Sequence, residues 1–144
     1  MYKHILIATD GSELAGKAVA AGLALARALG AKVTAVTATE PWSSMVLGEP
    51  ALAFPIEEFE KAANENAERI LERVRSAAKD AGVACDAVHI YDFPAEGIVE
   101  AAKAKGCDLI VMASHGRRGL SKLVLGSQAT RVLALSPVPV LVCR

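Results

Sequence analysis

Two short segments carry residue types that can do chemistry. The first, Thr9-Asp10-Gly11, ends the apolar run His4 to Thr9 (HILIAT). The second, Ser114-His115-Gly116, follows the apolar run Leu109 to Ala113 and leads through RRGLSKLVL to Gly126-Ser127. Gly116 lets the backbone turn and approach a ligand with no Cβ in the way. Gly126-Ser127, placed at a helix start, offers free N–H groups, a hydroxyl and the positive end of the helix at one point. That combination suits an anion such as a phosphate. Arg117, Arg118 and Lys122 can add positive charge. The same residues also fit an ordinary helix cap beside solvated cations, because Ser and Gly are common at caps. Asp10 has two readings as well. It can help to hold a divalent ion carried by phosphates, or it caps the first helix together with Ser12. His115 can contact phosphate, but no partner positioned for acid–base work is legible beside it.

Other chemistries find less support. The chain contains no G-x-x-x-x-G-K-[ST] and no G-x-G-x-x-G, which disfavours a P-loop ATPase and a dinucleotide fold. No nucleophile with a base and an orienting acid can be read from the spacing. A phosphoacceptor receiver domain needs an acidic cluster and an acceptor Asp after strand three. Asp92 lies near that place, but strand one offers only Asp10.

These segments need elements to position them. His4 to Thr9 reads as a strand buried on both faces. Ser12 caps a helix that begins at Glu13 and stops at Gly30, with Ala18, Gly22, Leu25 and Leu29 on one face. Close packing against the sheet would explain a glycine at position 22. Lys32 to Thr39 is the second strand. Residues 41–55 lack a period, contain Pro41, Pro50 and Pro55, and carry Trp42, Met45, Val46, Leu47 and Phe54. Such a loop is expected to fold back onto the body or a partner. A helix from Ile56 to Ala81 shows an apolar stripe at Phe59, Ala63, Ala67, Ile70, Val74, Ala77 and Ala81, and Gly82 ends it. Cys85 to Tyr91, Leu109 to Ala113 and Val138 to Cys143 read as strands. Ala95 to Lys105 and Ser127 to Leu135 read as helices.

Alternation of strands and helices implies right-handed crossovers and a parallel sheet. The expected fold is α/β: one domain over residues 1–144, an open, doubly wound, Rossmann-like sheet of five strands in the order 3-2-1-4-5, with four helices. In such sheets ligands bind beyond the carboxyl ends of the strands, where the order reverses. If strands one and four are neighbours, the two chemical segments meet in one crevice.

Composition narrows the function classes. Of 144 residues, 16 are basic and 16 acidic. A neutral chain has no bulk attraction to nucleic acid. Cys85, Cys107 and Cys143 are odd in number and widely spaced, which suits free thiols better than a disulfide framework or a zinc site. The first residues enter an apolar strand at once, unlike a signal peptide, and no run is long enough to span a bilayer. A cytoplasmic protein is expected.

The motif residues resemble the universal stress protein family. That family shows a glycine, two residues, a glycine, nine residues, then Gly-Ser or Gly-Thr. Here Ala113-Ser114-His115-Gly116 is followed by nine residues, Arg117 to Leu125, and then Gly126-Ser127. The resemblance covers the whole chain, from the opening ILIATDGS to the closing PVPVLV. It implies a module that binds ATP, or ADP or AMP, with Mg or Mn carried through the phosphates. By resemblance, Ala8, Thr9 and Asp10 contact the nucleoside, and Val36 reads the adenine edge through its backbone. Met112 and Ala113 line the ribose and phosphate side. Gly116, Arg117, Gly126, Ser127 and Gln128 cradle the phosphates. One residue departs from the motif: Ala113 stands where the family has its first glycine. Alanine there is harmless at negative φ and costly at positive φ, and its methyl group can crowd a phosphate.

The resemblance also implies a homodimer through Val138 to Val142. Pro139 cannot donate to a ladder, so an edge position is expected for that strand. No nucleic-acid or membrane partner is expected, and protein partners are not legible. Three functions stay open: a nucleotide-binding stress or signalling module; an enzyme with at most slow ATP hydrolysis or autophosphorylation; and a nucleotide-free dimeric interaction protein in which Ala113 closes the pocket.

Overall fold

The computed structural model describes residues 1–42, 55–116 and 125–144. Its elements are β1 (His4–Ala8), α1 (Glu13–Leu29), β2 (Lys32–Thr39), α2 (Ile56–Ala81), β3 (Cys85–Tyr91), α3 (Pro94–Lys105), β4 (Leu109–Ala113), α4 (Ser127–Leu135) and β5 (Val140–Cys143). The five strands form one parallel sheet in the order β3-β2-β1-β4-β5. The expected α/β architecture and strand order are therefore present.

Residue parity along each strand builds two cores. Ile5, Ile7, Val33, Ala35, Leu109 and Val111 face one side and pack with α1 and α2. Leu6, Ala8, Val36, Ile110 and Met112 face the other and pack with α3 and α4. Burial on both faces explains why the central strands read as unbroken apolar runs. β1 sits at the centre, paired with β2 from His4↔Lys32 to Ala8↔Val36 and with β4 from Ile5↔Leu109 to Ile7↔Val111. The chain winds outward in both directions from this pair, so the order reverses between β1 and β4.

Three helices end as their sequences predict. Gly30, Gly82 and Gly106 adopt left-handed caps with φ of 66°, 70° and 70°, where a side chain would be strained. Ser12 caps α1, its Oγ accepting from the Ala15 amide at 3.2 Å. Other details differ from expectation. The sheet-facing stripe of α1 is Ala15, Ala18, Val19, Gly22, Leu23 and Ala26, whereas Leu29 is 37% exposed. The register is set by Gly22, where a Cβ would lie 2.6 Å from Ile7 Cδ1. α3 starts at Pro94 rather than Ala95, with proline in the first turn, where its missing N–H costs nothing. β5 starts at Val140 rather than Val138, because Pro139 can only accept; its carbonyl takes the Ile110 amide at 3.0 Å. β5 lies at the sheet edge as expected.

Residues 43–54 of the expected long loop, and Arg117, Arg118 and Lys122, lie outside the described residues. Among the described residues no helix is long and apolar enough to cross a membrane. All three cysteines are free; Cys107 is buried and the other two are half-buried. Burial pushes the Cys107 thiol up to about 11.

Candidate functional site

The carboxyl tips of β1 and β4 are adjacent, and the segments beyond them touch. Asp10 reaches across to Gly116: a Cβ at position 116 would lie 2.8 Å from Asp10 Oδ2. The other oxygen, Oδ1, accepts from the Ser12 amide at 2.9 Å. Asp10 thus organises the start of α1 and faces the second loop at the same time. Thr9 is buried, and its Oγ1 accepts from the Gly11 amide at 3.1 Å. Gly11 has φ 79°, so the turn out of β1 requires glycine.

The second loop is clamped from both sides. The Ser114 amide donates to the Cys143 carbonyl of β5 at 2.7 Å, and the Ser114 carbonyl accepts from the Gly126 amide at 2.8 Å. Gly126, the N-cap of α4, packs so closely that a Cβ there would lie 2.6 Å from the Ser114 oxygen. Neither Gly116 nor Gly126 has a positive φ. Both are glycines because neighbouring groups come too close for a side chain. The N-cap of α4 makes no side-chain cap hydrogen bond. Ser127 therefore stands as the first residue of the helix rather than as its cap.

The expected site residues separate into two groups. Thr9, Asp10, Gly116, Gly126, Ser127 and Gln128 lie at the tips and at the start of α4. Ala8, Val36, Met112 and Ala113 have their side chains in the cores, so only their backbones can face a ligand. Ala113 has no positive φ, and its methyl belongs to the α1-side core. The glycine-to-alanine departure is thus accommodated by the backbone. Arg117 lies outside the described residues.

One residue was missed by sequence reasoning. The Val36 carbonyl accepts from the Thr9 amide at 2.9 Å, so that group is spent on the ladder. In a parallel ladder, alternate residues address alternate neighbours. The Thr39 carbonyl takes the Asp92 amide on the β3 side, so Val36 and Ala38 address β1. The β1 pairing stops at Ala8↔Val36. The N–H and C=O of Ala38 therefore point past the end of β1, with no backbone partner among the described residues. No side-chain signal marks such a position; only register finds it.

The sequence matches the model of the universal stress protein family over residues 1–144. The chain belongs to that family. A universal stress protein of Thermus aquaticus is 42% identical over 146 residues, covering all of both chains. The solved structure of MJ0577 from Methanocaldococcus jannaschii superposes with a TM-score of 0.80 at 29% identity, covering 99% of this chain and 96% of the other. A universal stress protein crystallised with cAMP gives a TM-score of 0.71 at 26% identity, over 99% and 97% of the two chains. In this universal stress protein the family motif thus has a mechanical account: its two later glycines, Gly116 and Gly126, are the points where the loops of the crevice approach within contact distance.

The opposite end of the sheet holds a separate polar chain. His4 Nε2 lies 2.7 Å from Thr34 Oγ1, Thr34 Oγ1 donates to Asp86 Oδ1 at 2.6 Å, and Lys105 Nζ reaches Asp86 Oδ2 at 3.3 Å. Burial, with the charge of Lys32, holds the His4 imidazole below its ordinary pKa. Burial raises the Asp86 carboxyl, but hydrogen bonds from Thr34 and Lys105 outweigh it and leave a net lowering. This cluster lies at the amino ends of the strands, away from the crevice.

Proposed function

We propose that this universal stress protein holds an adenine nucleotide in the crevice between the tips of β1 and β4, and acts as a binding module. The contact of Asp10 with Gly116 carries the reading. It joins the two loops at the point of strand-order reversal, the usual ligand position in open α/β sheets. The Ala38 N–H and C=O offer a donor beside an acceptor, complementary to N1 and the N6 amino group of adenine. Thr9 and Asp10 flank the nucleoside. The first turn of α4 supplies the Ser127 and Gln128 amides and the Ser127 hydroxyl to phosphates, beside Gly126, whose own amide is held by the Ser114 carbonyl. A Mg or Mn ion carried by those phosphates would meet the Asp10 carboxylate. The cAMP-bound relative supports an adenine ligand of this class.

The module acts as a homodimer in the cytoplasm. β5 is an edge strand with Leu141 40% exposed, and an apolar edge calls for a cover. Nucleotide bound to one state of the dimer would stabilise that state for partners to sense.

Mass spectrometry of small molecules released from the purified, denatured protein tests the first claim, with calorimetric titration of ATP, ADP and AMP beside it. An adenine nucleotide in stoichiometric amount is expected. Neither release nor binding would leave a nucleotide-free interaction protein. Metal-dependent turnover well above a Ser127→Ala control would favour an enzyme instead. Light scattering after size exclusion tests the dimer, which a monomer at micromolar concentration refutes.

A further inference from the structure

The sheet has a second edge that none of the assignments above uses. β3 is seven residues long, none of them buried, and it pairs with β2 alone. Even-numbered residues of this segment address β2: the Ala84 carbonyl accepts from the Val33 amide at 2.8 Å, and the Asp92 amide donates to the Thr39 carbonyl at 3.1 Å. In a parallel ladder the odd-numbered residues then point outward. The N–H and C=O groups of Ala87, His89 and Tyr91 have no backbone partner among the described residues. Edges are usually blunted by short length, charge or proline. β5 is short and follows Pro139, and the amino end of β3 carries Asp86, paired with Lys105 at 3.3 Å. The rest of β3, Ala87 to Tyr91, contains no acid, lysine, arginine or proline.

The surroundings of this stretch are specific in kind. Tyr91 is exposed and leans on α2, its hydroxyl donating to Asn64 Oδ1 at 2.7 Å, with the Glu60 carbonyl 3.4 Å away. One turn earlier on the same face of α2 is Ile56, also exposed, and Phe93 is exposed two residues beyond Tyr91. Glu57, Glu58 and Glu60 stand exposed in the first turns of α2, Glu40 follows β2, and Asp92 follows β3. Lys61 is the one lysine or arginine between Pro55 and Asn64. An apolar margin with a surplus of acid is thus set beside a row of unpaired backbone groups.

We infer that the outer edge of β3 is a docking strand, which takes an extended segment of a protein partner, rich in basic and apolar side chains, as an added strand of the sheet. The backbone groups of Ala87, His89 and Tyr91 pair with that segment. Ile56, Tyr91 and Phe93 receive its apolar side chains, and the carboxylates around them select lysine or arginine. Binding here needs no nucleotide, because the crevice lies between β1 and β4, on the far side of β2.

The test is fluorescence anisotropy of the full chain with a labelled peptide of alternating lysine and valine. The comparisons are a glutamate–valine peptide of the same length and the lysine–valine peptide N-methylated at every amide. Amide exchange followed by NMR accompanies them. The lysine–valine peptide should bind and slow exchange at Ala87, His89 and Tyr91. N-methylation removes the pairing donors and keeps the charge, and it should weaken binding about tenfold or more. The glutamate–valine peptide should bind more weakly by about the same factor. Glu57→Lys combined with Glu60→Lys should weaken the lysine–valine peptide about tenfold, the upper scale for two surface ion pairs. Ala87→Pro removes a donor that no ladder uses, so the circular dichroism of wild type is expected, with binding weakened about fivefold or more. A lysine–valine peptide that does not bind, or binds equally well when N-methylated, overturns the inference whether or not Ala87→Pro folds. Equal binding of the glutamate–valine peptide overturns the basic partner. An assembly in light scattering that Ala87→Pro dissolves and Leu141→Lys preserves would give the edge to a second copy of the chain, and overturns the inference as well.

Discussion

Replacing Gly126 by alanine isolates the close approach that builds the crevice. The backbone of Gly126 has φ −63° and ψ 156°, a conformation open to alanine, so no dihedral strain is added. The new methyl would stand 2.6 Å from the Ser114 carbonyl oxygen and 3.3 Å from His115 Cα. Both neighbours are backbone atoms, held by the hydrogen bonds of Ser114 to Cys143 and Gly126. Relief requires the loop and the start of α4 to part, at the expense of the Gly126 bond. Such overpacking costs about 1–3 kcal/mol, and the lost hydrogen bond about 1 kcal/mol. The lower chain entropy of alanine returns about 0.4–1 kcal/mol. A net loss of about 1–3 kcal/mol is expected in urea denaturation followed by circular dichroism. Gly16→Ala is the control: it lies in α1, nothing stands within 4 Å of its Cβ position, and the change should stabilise by about 0.5–1 kcal/mol. A Gly126→Ala protein as stable as Gly16→Ala would refute the geometry of the crevice.

Three further outcomes follow from the same structure. Ala113→Gly should destabilise by about 1 kcal/mol through lost burial and backbone entropy, and calorimetry should find ATP affinity changed by no more than about twofold, because the methyl lies in the α1-side core. Leu141→Lys places a charge on the outer edge strand, and light scattering should find the monomer, with the helical circular dichroism of wild type retained. Stability should fall on acidification: folded His4 resists the proton that the unfolded chain accepts below about pH 6.5, because burial lowers its pKa. Between that pH and the lower pKa of the folded state the loss accumulates, and His4→Gln should flatten this part of a denaturation profile. Asp86, also lowered in the fold, loses its contribution only at more acidic pH, below its ordinary value of about 3.9.

Local chemistry fixed most of the elements without the fold. Unbroken apolar runs marked the central strands because both of their faces are covered, and glycines at 30, 82 and 106 marked helix ends because only left-handed residues fit there. Ser12 and Pro139 were legible for the same reason: a cap and a missing donor act within a few residues. The motif Gly116 to Gly126-Ser127 was visible as spacing. Its cause was not, since each glycine answers to an atom distant in sequence or across a loop, Asp10 for one and the Ser114 carbonyl for the other.

Tertiary structure alone decided which face of α1 turns inward, because Gly22 must meet Ile7 and so Leu23, rather than Leu29, is buried. It alone showed that the Val36 carbonyl is spent on β1 while Ala38 has no backbone partner among the described residues. Apolar pattern carries burial, but not which neighbouring strand ends first. That depends on register between segments of the chain some thirty residues apart, and it is there that a sheet either closes its hydrogen bonds or leaves them open.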